Sequence, residues 1–203
     1  WFTRLVAIRF MELHDYLPCR VRMLSADDGS FAPQVLKCAL DVQIEGLDAA
    51  RVMELMQAGD DEALFRCLFL AQCDELSSCI PGVFDRVGSA MELLLPDGLL
   101  RQDSVLDRLV TSIPEENWEH VEILGWMYQY YNAEVKDAFF KSKAKETPDT
   151  IGPATQLFTP EWIVRYMVEN SLGRLWMLNF PESTLCQKWD YYIAPDAEHE
   201  DFI

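Results

Sequence analysis

Asp60-Asp61-Glu62-Ala63-Leu64-Phe65-Arg66-Cys67-Leu68-Phe69-Leu70-Ala71-Gln72-Cys73-Asp74-Glu75-Leu76-Ser77-Ser78-Cys79-Ile80-Pro81-Gly82 is the stretch that settles the class of fold. Its three leading acids suit a first helical turn, where the positive end of the helix dipole favours negative charge. Phe65, Leu68, Phe69, Leu76, Cys79 and Ile80 then share one helical face, and Pro81-Gly82 stops the run. The same period returns upstream. Phe2, Leu5, Val6, Phe10 and Leu13 make one stripe, and Trp1, Ile8 and Met11 make a second. A first helix apolar on two sides belongs between neighbours. Pro18 ends it, Ala26-Asp27-Asp28-Gly29-Ser30 forms a loop, and residues 33–40 and 47–57 read as short helices.

Downstream, Pro96-Asp97-Gly98 is a turn signal, and Asp103 or Ser104 can cap a helix reaching Ile113. The longest helix is expected to start near Pro114, with Glu115 and Glu116 in its first turn. It would carry Val121, Leu124, Tyr128, Tyr131, Val135 and Phe139 on one face. Trp126-Met127-Tyr128-Gln129-Tyr130-Tyr131 lies mid-helix in acidic surroundings, which favours core packing over a base-stacking platform. Residues 1–140 then form a helical domain and residues 141–152 a polar linker. Residues 153–178 form a further helix after a short extended lead, and residues 179–203 an irregular acidic segment. No run alternates apolar and polar residues convincingly. The expected class is mainly α, a multi-helix bundle.

Composition narrows the partners. The 203 residues carry 17 Lys and Arg against 34 Asp and Glu, a net charge of −17, and half are hydrophobic. That is enough apolar material for a core and excludes general disorder. No apolar run is long enough to span a bilayer, and the chain opens without a charged-then-apolar leader, which favours a cytoplasmic setting. The residues at its start, already mid-helical in character, read as the interior of a longer chain. Without a Lys/Arg cluster, the chain taken alone is expected to avoid DNA and anionic membranes.

The six cysteines contain no C-x-x-C pair and the three histidines are scattered, so no metal site is expected. The thiols read as reduced and mostly buried. No G-x-G, P-loop, G-x-S-x-G or H-E-x-x-H pattern occurs, and the acid pairs at helix starts read as solvated. No catalytic residue is therefore assigned.

One segment is specific: Ala154-Thr155-Gln156-Leu157-Phe158-Thr159-Pro160-Glu161-Trp162-Ile163-Val164-Arg165-Tyr166-Met167-Val168. Thr159 suits an N-cap and Pro160 a first helical position. The N–H groups beyond them could receive a carboxylate or phosphate, although a plain capped helix accounts for the same pattern.

The Gln-Leu-Phe-Thr-Pro-Glu-Trp-Ile-Val run resembles the F-x-T-P element that precedes the catalytic domain of adenine-specific (N-6) DNA methyltransferases. Residues 1–12, Asp15-Tyr16-Leu17-Pro18, Leu94-Leu95-Pro96-Asp97, residues 125–131 and residues 168–176 extend the likeness. Together they resemble the large methyltransferases of BREX type 1 phage-defence systems, which are related to type IIL restriction–modification enzymes. The likeness covers nearly all of residues 1–178 and is weak beyond. It implies that the chain is the N-terminal helical part of such an enzyme, ending just before a Rossmann-like catalytic core. It also implies that Gln156, Phe158, Thr159 and Pro160 lie against the methionine end of S-adenosylmethionine. Double-stranded DNA would be engaged through other parts of the parent, and other defence-system proteins could dock on the helical part. The glycine-rich cofactor loop and the catalytic Asn-Pro-Pro-Tyr of the group do not occur in these 203 residues, so the piece is expected to be apo and inactive alone. A freestanding acidic helical adaptor and an acidic DNA mimic are the competing readings.

Overall fold

The computed structural model describes residues 1–85, 88–142, 145 and 147–194, and among them no strand occurs. The mainly α expectation holds. Two compact units are present, residues 1–128 and residues 129–203.

The first unit opens with α1 (Phe2–Leu13), α2 (Gln34–Lys37) and α3 (Ala49–Ala58). It continues with α4 (Asp61–Cys79), α5 (Ser89–Glu92), α6 (Val105–Thr111) and a 3-10 turn at Glu115–Trp118. Local chemistry places the main helix starts. The Asp48 carboxylate accepts from the N–H groups of Ala50 and Arg51, Asp60 from that of Ala63, and the Ser104 hydroxyl from that of Asp107. Each satisfies donors that a helix leaves unpaired in its first turn. Gly59, at φ 67°, ends α3 in the left-handed conformation that costs glycine little.

The core gathers Leu5, Val6 and Ile8 of α1 around Phe65, Leu68, Phe69, Cys73 and Leu76 of α4, with Leu106 and Val110 of α6 and the fully buried Trp118. The α4 face is as expected through Leu76, but Cys79 and Ile80 are exposed because the helix runs past the core before Pro81. α1 is buried on two sides as its stripes predict. It also buries charge: Arg9 and Glu12 pair at 2.6 Å, both side chains fully buried. Arg9 also donates to the Ser25 hydroxyl and to Glu115, while Glu12 accepts from the Leu24 N–H, which fastens the 20–30 loop to α1.

That network refines one expectation. Glu115 is exposed in a first turn, as expected, but it also bridges Arg9 and Arg22 at 3.2 and 2.8 Å. Glu62 likewise accepts from the N–H groups of Leu99 and Leu100, tying the turn after α5 to α4. The thiols need correction too. All six are free, but only Cys73 is buried, and Cys79 is exposed.

The helix expected from Pro114 to Phe139 is not continuous. Pro114, extended at ψ 143°, introduces only the 3-10 turn; α7 (Glu122–Tyr131) and α8 (Ala133–Ser142) follow as separate helices, and α4 is longer than either. α7 buries Ile123 and Gly125, so the aromatic run turns outward: Trp126, Tyr128, Tyr130 and Tyr131 are all exposed. Core packing is therefore corrected for these four aromatics, while Met127 of the same run packs against the core.

The second unit holds α8, α9 (Pro148–Thr155), α10 (Glu161–Val168), a π-helical turn (Glu169–Gly173), α11 (Arg174–Asn179) and a 3-10 turn at Leu185–Lys188. α9 begins inside the stretch read as a linker and runs past its end, opens with a Thr147–Thr150 capping box and packs against α8. Every buried hydrophobic residue among the described ones falls between Leu5 and Ile123. Among the described residues of the second unit, only Glu169 and Gly173 are buried.

Candidate functional site

Residues 156–160 form an extended strip between α9 and α10. Pro153 stands inside α9, and Gln156, at ψ 121°, leaves helical geometry immediately after it. The strip then enters α10 through Pro160, whose carbonyl accepts from the N–H groups of Ile163 and Val164 at 3.0 and 3.3 Å. The helix starts one residue later than the sequence suggests. Pro160, rather than Thr159, occupies the cap position, and no side chain caps the helix. Proline's missing N–H and fixed φ suit this junction equally well.

Two side chains from the α7–α8 junction hold the strip. Gln129 accepts from the backbone N–H of Phe158 at 3.2 Å through its Oε1, and Asn132 donates to the Gln156 Oε1, also at 3.2 Å. Sequence reasoning missed both. The available signal was a single amide set among the aromatics of residues 126–131.

The four expected cofactor residues lie within five consecutive positions and are accessible. Phe158 is 39% exposed, Thr159 is exposed, and Gln156 and Pro160 are half-buried. They offer a hydroxyl, strip peptide groups and the face of an aromatic ring. This is chemistry for holding a molecule by one edge. No cluster that could bind a metal ion occurs among the described residues, and no helix among them is long and apolar enough to cross a membrane.

Beyond the strip, Trp162, Tyr166, Met167, Leu172, Leu175 and Trp176 are all more than two-fifths exposed along α10, the π-turn and α11. The π-turn is tied to residues 189–193 by side chains acting as backbone partners. Glu169 accepts from the Tyr191 N–H at 2.7 Å, and Asn170 donates to the Tyr191 carbonyl while accepting from the Ile193 N–H. Arg165 pairs with Asp190 at 2.8 Å and with Glu169 at 3.4 Å. A β-carbon on Gly173 would lie 2.9 Å from the Trp189 ring, so the bare backbone there admits the indole. Segments with i→i+5 bonding occur disproportionately at functional positions.

Comparison with known proteins agrees with the resemblance read from the sequence. The chain is 48% identical over 198 residues to the adenine-specific methyltransferase BrxX of Escherichia coli O9:H4 (strain HS). It is 36% identical over 223 aligned residues to the adenine-specific methyltransferase PglX of Lacticaseibacillus casei (strain Zhang). These matches cover 96% and 99% of this chain but only 16% and 18% of those proteins. No family model matches the chain. The chain is thus homologous, over nearly its whole length, to a minor portion of two adenine-specific methyltransferases.

Proposed function

We propose that this chain is part of an S-adenosylmethionine-dependent, adenine-specific (N-6) DNA methyltransferase that serves phage defence in the cytoplasm. The homology to BrxX and PglX over nearly the whole chain carries this reading. In it, residues 1–140 are a helical support, residues 141–152 a connection, residues 153–178 the cofactor strip with its helix, leading into the catalytic domain, and residues 179–203 an irregular acidic segment. Gln156, Phe158, Thr159 and Pro160 border the methionine end of the cofactor. The exposed Thr159 hydroxyl supplies a polar contact and the Phe158 ring an apolar wall.

These residues fit only that edge. The adenosyl half and the extruded adenine need a glycine-rich loop and an Asn-Pro-Pro-Tyr, neither of which occurs in this sequence, so the methyl donor's chemistry and the DNA contacts belong to the rest of the parent protein. The chain alone is then inactive and does not bind DNA.

The test is calorimetric titration of the parent protein with S-adenosylmethionine, in parallel with Phe158→Ala and Thr159→Ala. Since no side chain caps α10, Thr159→Ala leaves the melting temperature nearly unchanged. Cofactor affinity falls by about tenfold in each variant, which corresponds to about 1.4 kcal/mol. Unchanged affinity in both variants removes the strip from the cofactor site. Methyl transfer by the 203-residue chain alone would overturn the assignment of the chemistry to the rest of the parent.

A further inference from the structure

Asn132 and Gln156 meet at one end of the paired helices α8 and α9, the first just before α8 and the second just after α9. Both backbones are fixed there. The Asn132 carbonyl accepts from the Lys136 N–H at 3.0 Å, and the Gln156 N–H donates to the Gly152 carbonyl, also at 3.0 Å. The side chains then join across this end, where Asn132 Nδ2 donates to Gln156 Oε1 at 3.2 Å. A carboxamide has one accepting end and one donating end. With its oxygen taken, Gln156 is left with the two N–H groups of its Nε2, and among the described residues no hydrogen bond engages them. Gln129 is set in the same sense, its oxygen being taken by the Phe158 N–H at 3.2 Å. Both glutamines are half-buried, and all these residues belong to the second unit.

We propose that Asn132 is a positioning residue for cofactor binding: it holds the Gln156 carboxamide with its oxygen turned to Asn132, so that Nε2 donates to the α-carboxylate of S-adenosylmethionine. The proposal rests on the reading of residues 156–160 as the border of the cofactor's methionine end. It adds which group of that end is recognised and what aims the recognising side chain. The methionine end carries a carboxylate, which only accepts, and an ammonium, which only donates. An outward NH2 complements the first and is wrong for the second. Aiming the amide in advance matters for two reasons. A free glutamine loses rotamer freedom when it binds, and a glutamine turned round sets oxygen against oxygen. A neutral donor also suits a half-buried position, because it brings no charge that has to be stripped of water.

The test is calorimetric titration of the full parent protein with S-adenosylmethionine and with its decarboxylated analogue, which keeps the sulfonium and the amine but lacks the carboxylate. The wild type is compared with Asn132→Leu, which keeps the branched outline and removes the donor, with Gln156→Leu, with the double variant and with Phe158→Ala. Gln156→Leu weakens S-adenosylmethionine by about tenfold and Asn132→Leu by about fivefold, the equivalent of one net hydrogen bond. The double variant is no weaker than Gln156→Leu, because the two residues act through one contact. The decarboxylated analogue binds the Asn132 and Gln156 variants within about twofold of the wild type. That split separates positioning from a merely loosened strip, which weakens both ligands alike. Circular dichroism melts check folding, and Asn132→Ala replaces Asn132→Leu if the leucine is not tolerated. Equal weakening of both ligands by Asn132→Leu overturns the proposal. So do additive losses in the double variant, or S-adenosylmethionine binding left unchanged by Asn132→Leu or by Gln156→Leu. If Phe158→Ala still weakens the cofactor in such a case, the strip remains at the methionine end and only the role of Asn132 is lost. If Phe158→Ala is silent as well, the reading of the strip falls with it.

Discussion

The side chain of Gln129, at the heart of an aromatic run, accepts a hydrogen bond from the backbone N–H of Phe158 at 3.2 Å. One amide thereby fixes the height at which the extended strip passes α7, and Asn132 repeats the arrangement at Gln156. The aromatics around Gln129 are exposed, so α7 contributes a support for the strip where its sequence suggests a core.

Gln129→Ala is therefore expected to loosen the strip without unfolding the protein. A single hydrogen bond of this kind contributes about 1 kcal/mol net. Chymotryptic cleavage after Phe158 should accelerate about fivefold, the kinetic equivalent of that energy when local opening precedes cleavage. Cleavage at an unchanged rate would mean that Asn132 and the flanking helices hold the strip by themselves.

Arg9 and Arg51 each pair with a glutamate at 2.6 Å, but Arg9–Glu12 is fully buried and Arg51–Glu54 is half exposed or more. Removing one partner of a buried pair strands the other charge and costs about 3–5 kcal/mol. Arg9→Ala should therefore lower the denaturation midpoint sharply, since Glu12 would lose its cation while remaining buried. Arg51→Ala should leave the midpoint where it is, because water and salt already screen that pair. Equal midpoints for the two variants in urea titration would contradict this.

The thiols divide by environment. Burial pushes Cys73 up to about 12, while Cys79 is exposed at the end of α4. At pH 8 a thiol-specific disulfide reagent should modify Cys79 within minutes and leave Cys73 untouched until the chain unfolds. The sign of the linkage follows from the same shift. Folding favours the neutral thiol, so its contribution is fully present below the ordinary thiol value of 9.0 and declines as pH rises towards 12. Rapid modification of Cys73 in the folded protein would show that the α1–α4 core opens readily.

Gly173→Ala places a β-carbon against the Trp189 ring. The indole is half-buried and can swing away, so the cost is about 1 kcal/mol and local. Trp189 fluorescence should shift to the red as residues 189–193 leave the π-turn, and the global melt should stay the same. A blue shift, or none, would mean that the turn rather than the ring gives way.

Helix existence in the first 113 residues was legible because the apolar period meets a stop signal at α1 and α4 and a cap candidate at α6. The break of the 114–139 helix was not. Its apolar period continues in register, and only the extended backbone at Pro114 and the end of α7 at Tyr131 interrupt it. The link from the buried Arg9–Glu12 pair to Glu115 was equally hidden, since it joins residues more than a hundred positions apart and looks like ordinary surface charge in one dimension. At the strip, the residues were legible from their resemblance to the F-x-T-P element. The amides that hold them were not, because Gln129 and Asn132 act through the backbone and side-chain amide of a distant segment. The one-residue error in the start of α10 has a local cause, for Thr-Pro serves as N-cap and first residue in one geometry and as strand end and cap in another.

Among the described residues apolar burial ends at Ile123, and this decides what a thermal melt can report. The cooperative transition belongs to residues 1–128, because a residue with no buried neighbours adds almost nothing to the heat absorbed when the core comes apart. A stability screen of this chain would score substitutions on α10 and α11 as silent, even at Trp162 or Trp176. Tolerance measured in that way records only that, among the described residues, no buried apolar core rests on those helices, and it would mislead anyone choosing positions to redesign.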